Sequence, residues 1–335
     1  MIGRVLIVGH GSIGKRHLKI VRERLPSADI RVLRHRQSED TAEGANGCFY
    51  DLNAALNFGP QAAILANPSP LHIPIASKLS AANCHLLIEK PLSDNLNGVD
   101  ALIEQSHEQG SVLLVGYNLR YLESLEFFRN TLNEGRIGQV ISVRCDVGQY
   151  LPSWREGKHY TQTVSAKKEL GGGVLLELSH EFDYLRWVFG DIEWVNAWIS
   201  PKSSLRIDVE DTVHSIIGFM PKGNTAAIVG TLSLDFVRHD AVRQCTIIGE
   251  NGTLKWDAIS GTVSVFELGD TAWKVIFEQR LDPNETYRRQ WDHFLQCIEG
   301  KSKPKVSGWD GRAVLSIIEA VRTSAQSDGT RTFVT

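Results

Sequence analysis

A chain of 335 residues with 42% hydrophobic content is long enough for two separate cores, and a net charge of −3 gives it no basic surface for nucleic acid or an anionic membrane. Five cysteines (Cys48, Cys84, Cys145, Cys245 and Cys297) are scattered without a CxxC spacing, which argues against a disulfide frame or a zinc site and for a reducing, cytoplasmic setting. No apolar run approaches the ~20 residues that span a bilayer. The chain enters its first strand too soon for a signal peptide to be expected.

Arg4–Val8 is a short apolar run of the kind buried on both faces of a parallel sheet. It leads into Gly9-His10-Gly11-Ser12-Ile13-Gly14 and then a helical stretch, KRHLKIVRERL. Between a strand and a helix, this GxGxxG spacing predicts a dinucleotide site. One glycine allows the tight turn, one the close approach of a pyrophosphate and one the packing of helix on strand, while free helix N–H groups face the phosphates. The second strand, 30–33, is followed by Arg34-His35-Arg36-Gln37-Ser38. A carboxylate there would accept from the adenosine ribose of NAD. Two guanidiniums and a serine hydroxyl instead favour the 2′-phosphate of NADP, the competing reading being an exposed basic turn.

Strand and helix go on alternating: a strand at 62–66, a turn at Asn67-Pro68-Ser69-Pro70, a helix from about Leu71, a strand at 85–88 running into Glu89-Lys90-Pro91, a helix near 96–108 and a strand at 112–115. This is a doubly wound βα pattern, in which ligands sit beyond the carboxyl ends of the strands. Asn67, Lys90 and Gly116-Tyr117-Asn118 all fall at such ends, and Pro91 is expected to hold Lys90 extended. The pattern changes after about residue 120. The expected domains are 1–120 and 121–335, with the last helices available to pack back on the first.

A helix at 121–134 and a strand near 139–150 lead to a polar and aromatic stretch, 151–170. Its Trp154, Arg155, Lys158, His159 and Tyr160 suit the grip of a polar, ring-shaped ligand and an ordered surface loop equally well. Residues 171–190, GGGVLLELSHEFDYLRWVFG, follow. Leu175, Leu178, Phe182, Leu185 and Phe189 make one apolar stripe of a helix with Gly190 as its C-cap. His180 projects nearly opposite that stripe, with Glu177 and Tyr184 to either side. Glu177 and His180, three apart, can meet over one turn, as a general acid/base beside a carboxylate or as an incidental ion pair on a surface helix. Beyond this, 212–220, 225–236 and 242–248 read as strands with no helices between them, and Gly249-Glu250-Asn251-Gly252 as a hairpin turn. A mainly antiparallel sheet is expected, closed by helices near 286–299 and 309–324. No His, Asp or Cys cluster has metal-ligand spacing, so no metal is expected.

The dinucleotide fingerprint, Glu89-Lys90-Pro91 and the glycine-rich entry to a helix bearing His180, in this order and over nearly the whole chain, resemble the Gfo/Idh/MocA family (glucose–fructose oxidoreductase, inositol dehydrogenase, rhizopine catabolism). The resemblance implies an α/β chain with an N-terminal Rossmann doubly wound parallel sheet. It adds a C-terminal α+β domain with a large, mainly antiparallel open sheet, and homodimers or homotetramers formed through that sheet. It implies hydride transfer between NAD or NADP, with NADP preferred on the basic turn, and a ring carbon of a sugar, sugar nucleotide or cyclitol. By the same resemblance Lys90 hydrogen-bonds the reacting hydroxyl and His180 is the general acid/base.

The cofactor is then expected at Gly9, Gly11, Ser12, Ile13, Gly14, Arg34, Arg36, Ser38, Asn67, Pro68, Glu89, Lys90 and Asn118. The substrate is expected at Lys90, Tyr117, Arg120, Trp154, Arg155, Tyr160, Glu177 and His180. The commonest family pattern has Asp four residues before the histidine. That position is Leu176 here, and Glu177, three before, takes the role of orienting His180 or holding a substrate hydroxyl. The strings GQYLPSWR and GGGVLLELSHE resemble members tied to surface-polysaccharide sugars. Two other classes compete: a cofactor-binding sensor without turnover, against which Lys90 and His180 argue, and a redox-assisted glycosidase with tightly held cofactor.

Overall fold

The computed structural model describes residues 2–35, 42–155, 157–201, 203–221, 227–280 and 282–335. The chain divides into two compact units, Met1–Asn118 with Pro283–Leu315, and Leu119–Asp282 with Ser316–Thr335.

In the first unit β1 (Arg4–Val8), α1 (Ser12–Arg24), β2 (Asp29–Leu33), β3 (Gly47–Phe49), α2 (Leu52–Asn57), β4 (Ala62–Leu65), α3 (His72–Ala81), β5 (His85–Ile88), α4 (Val99–Glu108) and β6 (Leu113–Val115) follow one another. The six strands are all parallel, in the order β3-β2-β1-β4-β5-β6. Val5–Val8 and Ala62–Leu65 contain no polar residue and are buried, as central strands covered on both faces must be. Leu18, Ile20 and Val21 of α1 share one core with Trp291 and Phe294 of the helix Glu285–Ile298. Strand order reverses at β1, whose neighbours are β2 and β4, so the crevice beyond the carboxyl ends of β1 and β4 is the switch point where a ligand fits. The sequence reading lacked β3 and α2. At three and six residues they are too short to show a period.

The second unit holds α5 (Glu123–Asn133), β7 (Val140–Gly148), α6 (Val174–Glu177), α7 (His180–Phe189), β8 (Ile192–Ser200), β9 (Thr212–Phe219), β10 (Val229–Asp235), β11 (Val242–Gly249), β12 (Gly252–Asp257), β13 (Thr262–Glu267), β14 (Lys274–Glu278) and β15 (Thr332–Phe333). These strands make one nine-stranded sheet, β14-β13-β12-β11-β7-β10-β9-β8-β15. Every neighbouring pair is antiparallel except β7 and β10, which are parallel. Along β7, Val143, Cys145 and Val147 are buried while Arg144 and Asp146 are exposed, the alternation of a sheet covered on one face. Phe128 of α5 and Tyr184 of α7 both pack on Trp256 of β12, which places the two helices on that covered face.

The expected single helix over 174–189 is two. α6 ends at Glu177, α7 begins at His180, and Leu178 (φ −100°, ψ 28°) leaves the helical region between them. All five stripe residues are buried in both pieces, so apolar periodicity is satisfied with or without the break and could not reveal it. Tyr184 does not flank an exposed histidine face. It is fully buried, its hydroxyl 2.8 Å from Cys145 Sγ.

Candidate active site

The dinucleotide loop of the first unit is shaped by what would collide there. Gly9 has φ +93°, and a Cβ on it would lie 2.8 Å from the Ala66 carbonyl oxygen. A Cβ on Gly14 would overlap the Gly9 carbonyl, so α1 can reach β1 only through glycine. Gly11 is different: it is exposed, and a Cβ there meets nothing within 4 Å. Ser12 and Ile13 open α1, whose N-terminus has no side-chain cap and no acidic residue in its first turn. Beside it, at the end of β4, Asn67 Oδ1 and Ser69 Oγ are buried without a hydrogen-bond partner among the described residues. A bare helix N-terminus, open space over the middle glycine and unmet polar atoms at the switch point fit a dinucleotide pyrophosphate.

Arg34 follows β2 directly and is half-buried, its main-chain N–H donating to Phe49 O at 2.9 Å. Arg36 and Ser38 lie outside the described residues. Lys90, half-buried, lies two residues beyond β5, and the Lys90–Pro91 peptide is cis. Three of the expected residues in this half are buried and engaged within the protein. Glu89 is buried and its Oε1 lies 2.6 Å from His17 Nε2, so this carboxylate braces α1 against the end of β5. Asn118 donates through Nδ2 to Thr286 Oγ1 at 2.8 Å, both residues buried. Tyr117 is fully buried.

In the second unit Glu177 and His180 are each half-buried, one on either side of the break. The turn that carries them is built from its glycines. Gly173 has φ +104°, and a Cβ there would overlap the Glu210 carboxylate. Glu210 in turn caps α6, its carbonyl oxygen accepting the Val174 N–H and its Oε1 the Leu175 N–H, each at 3.1 Å. Burial pushes the Glu210 carboxyl above the ordinary carboxylate range, against the Leu175 N–H and Arg322, which favour the anion. No sequence signal marked Glu210.

The helix after His180 is anchored by charge. Asp183 accepts two bonds from Arg120, at 2.9 Å to Nε and 2.6 Å to Nη2, with both side chains almost fully buried. Arg120, expected at the substrate, is held in this ion pair, and removing one member of such a pair typically costs ~3–5 kcal/mol. Glu181, also buried, forms an ion pair with Arg243 of β11 at 2.9 Å. Burial raises the Cys145 thiol and the Tyr184 phenol well above their ordinary values, so both are neutral at neutral pH.

Trp154, Arg155 and Tyr160 line one recess with Lys158 and Thr163. Trp154 Nε1 donates to Gln149 O, and the Tyr160 hydroxyl accepts the Arg206 N–H, while Arg155 is exposed.

Family models match both units. "Oxidoreductase family, NAD-binding Rossmann fold" covers residues 3–117, and "Oxidoreductase family, C-terminal alpha/beta domain" covers residues 129–332. Myo-inositol 2-dehydrogenase of Thermotoga maritima is 23% identical over 340 residues, 96% of each chain. The 1,5-anhydro-D-fructose reductase of Ensifer adhaerens is 26% identical, covering 74% of this chain and 73% of its own. Among solved structures, the WlbA dehydrogenase from Bordetella pertussis in complex with NADH and UDP-GlcNAcA superposes with a TM-score of 0.82 at 23% identity, covering 100% of this chain and 99% of that one. Levoglucosan dehydrogenase in complex with NADH and L-sorbose gives 0.85 at 20%, covering 99% and 98%. With its parallel six-stranded nucleotide sheet, its nine-stranded second sheet and both family models matched, this chain belongs to the Gfo/Idh/MocA oxidoreductases.

Proposed function

We propose that the protein oxidises or reduces a ring carbon of a sugar, sugar nucleotide or cyclitol with a nicotinamide cofactor. The observation that carries this reading is the open space over Gly11 at an uncapped helix N-terminus, in a chain whose family is one of oxidoreductases. The cofactor, when bound, supplies the hydride acceptor or donor. His180 takes the hydroxyl proton as the carbinol carbon is oxidised and returns it in the reverse direction. Lys90 donates a hydrogen bond to the same oxygen, and its charge stabilises alkoxide character there. Glu177 orients His180 or accepts from a neighbouring hydroxyl. Inositol, levoglucosan and UDP-sugar relatives support the substrate class, and the first screen should include those compounds and other nucleotide sugars.

Arg34 at the end of β2 supports a preference for NADP over NAD, since one guanidinium–phosphate contact is worth ~1.5–3 kcal/mol, or roughly 10–150-fold. Trp198, Ile216 and Val229 are exposed on one face of β8–β10, and this apolar patch supports a homodimer or homotetramer formed through the second sheet. Free, scattered cysteines support a cytoplasmic setting, and no helix among the described residues is long and apolar enough to cross a membrane.

His180→Asn is expected to lower turnover by about 10²–10⁴-fold while leaving NADPH affinity nearly intact. Wild-type turnover in that variant, with chemistry rate-limiting, removes His180 from the reaction. Dissociation constants for NADPH and NADH with wild type and Arg34→Ala test the cofactor assignment. Equal wild-type affinities, unchanged by the substitution, would sink it.

A further inference from the structure

We infer that His17 and His72 are positioning residues that hold Lys90 from both sides. The inference rests on the role proposed for Lys90. The residues that flank Lys90 in sequence are each held by a buried histidine from a different helix. On one side His17, fully buried in α1, brings Nε2 to 2.6 Å from Glu89 Oε1. On the other His72, 1% exposed at the start of α3, brings Nδ1 to 3.1 Å from the Pro91 carbonyl oxygen. The other nitrogen of His72, Nε2, lies 2.8 Å from the Asn67 carbonyl oxygen. The turns after β4 and β5 are therefore tied to one ring, and the turn after β5 is tied also to α1.

Neither histidine is explained by apolar packing, because burying an imidazole is costly unless its nitrogens are used. His17 Nδ1 is buried with no hydrogen-bond partner among the described residues, so the ring's hydrogen bonding is spent on Glu89 through Nε2. Burial lowers the His72 pKa, although the carbonyls of Asn67 and Pro91 and the Glu89 carboxylate favour its charged form. Both nitrogens face carbonyl oxygens at hydrogen-bond distance; the neutral ring donates to one of them at a time and the protonated ring to both. The Tyr287 ring meets His17 edge-on at 5.5 Å and fixes its plane. An ordinary strand end needs no such bracing. It matters where one ammonium group must meet one oxygen, because a displacement of ~1 Å costs large factors in rate.

The test reads the Lys90 amine itself, without substrate or cofactor. Competitive acetylation with limiting acetic anhydride, followed by mass spectrometry, compares Lys90 with the exposed Lys274 and Lys301 in the full-length protein. His17→Leu and His72→Leu are each expected to speed Lys90 labelling about fivefold, the equivalent of one lost hydrogen bond of ~1 kcal/mol, with Lys274 and Lys301 unchanged. His17→Gln, which keeps a donor for Glu89, should return labelling to the wild-type rate. Wild-type labelling in both Leu variants overturns the inference. Should a Leu variant lose its thermal transition, the isosteric Glu89→Gln takes its place, with a rise of about twofold expected and no rise overturning the inference. Lys90→Met separates the two readings: wild-type turnover in it removes Lys90 from the chemistry and leaves the labelling result standing.

Discussion

Helices α1 and α6 both begin at a cluster of glycines, yet the space around those glycines is used in opposite ways. Over Gly11 there is nothing within 4 Å, and the N–H groups of α1 have no side-chain cap. Over Gly173 stands the Glu210 carboxylate, and the first N–H groups of α6 are spent on Glu210. A glycine-rich helix entry is therefore not in itself a place for a ligand. The first entry is left unsatisfied by the protein, and the second is satisfied internally so that Glu177 and His180 stand on a fixed turn.

Gly173→Ala should show the largest effect on this contrast. Its φ of +104° and the seated carboxylate predict a loss of about 2–4 kcal/mol, read as a lowered Tm. An unchanged Tm would mean that Glu210 moves aside freely and that the turn is not rigid. Gly11→Ala should do the reverse. At φ −75° with free space around it, alanine is expected to stabilise the apo protein by about 0.4–1 kcal/mol. NADPH affinity should fall at least about tenfold, because the methyl group fills the space of the pyrophosphate. Unaltered affinity in a titration of NADPH fluorescence would place the cofactor elsewhere.

The smallest effect is expected from Glu210→Gln. The carboxyl's folded pKa is raised, so its contribution to stability is full below the ordinary carboxylate range and is lost as pH rises through the folded value. Gln keeps an acceptor for Leu175 and carries no charge to bury. The variant should melt about 1 °C higher than wild type at neutral pH, and the gap should close as pH falls through the carboxylate range. A gap that widens at low pH would reverse the sign assigned to Glu210.

The first unit was legible because its signals are local. Val5–Val8, Gly9–Gly14 and the Lys90 strand end each declare themselves within a few residues, and the parallel sheet follows from their alternation. The second unit was legible only as a class of sheet. The break at Leu178–Ser179 was hidden because the stripe is buried on both sides of it. The pairing of Arg120 with Asp183 was hidden because the two lie 63 positions apart, and a buried bidentate pair looks in sequence like two ordinary surface charges. The contact of Glu89 with His17 was hidden for the same reason, the two being 72 positions apart. Glu210 carries no pattern at all; only the three-dimensional contact with Gly173 gives it a task.

Strand β7 lies between β10 and β11, and both of its neighbours come late in the chain. Everything from Gln149 to Ile228, including α6, α7, β8 and β9, is the crossover that brings β10 back parallel to β7. A nascent chain that has emerged only as far as β9 therefore exposes a β7 with two open edges, because closing so long a loop precedes any pairing. The segment bearing Glu177 and His180 is then also the piece whose placement lets the middle of the sheet zip. Damage to it should surface first as sticky, half-assembled protein in a refolding experiment, ahead of any deficit in the few molecules that mature.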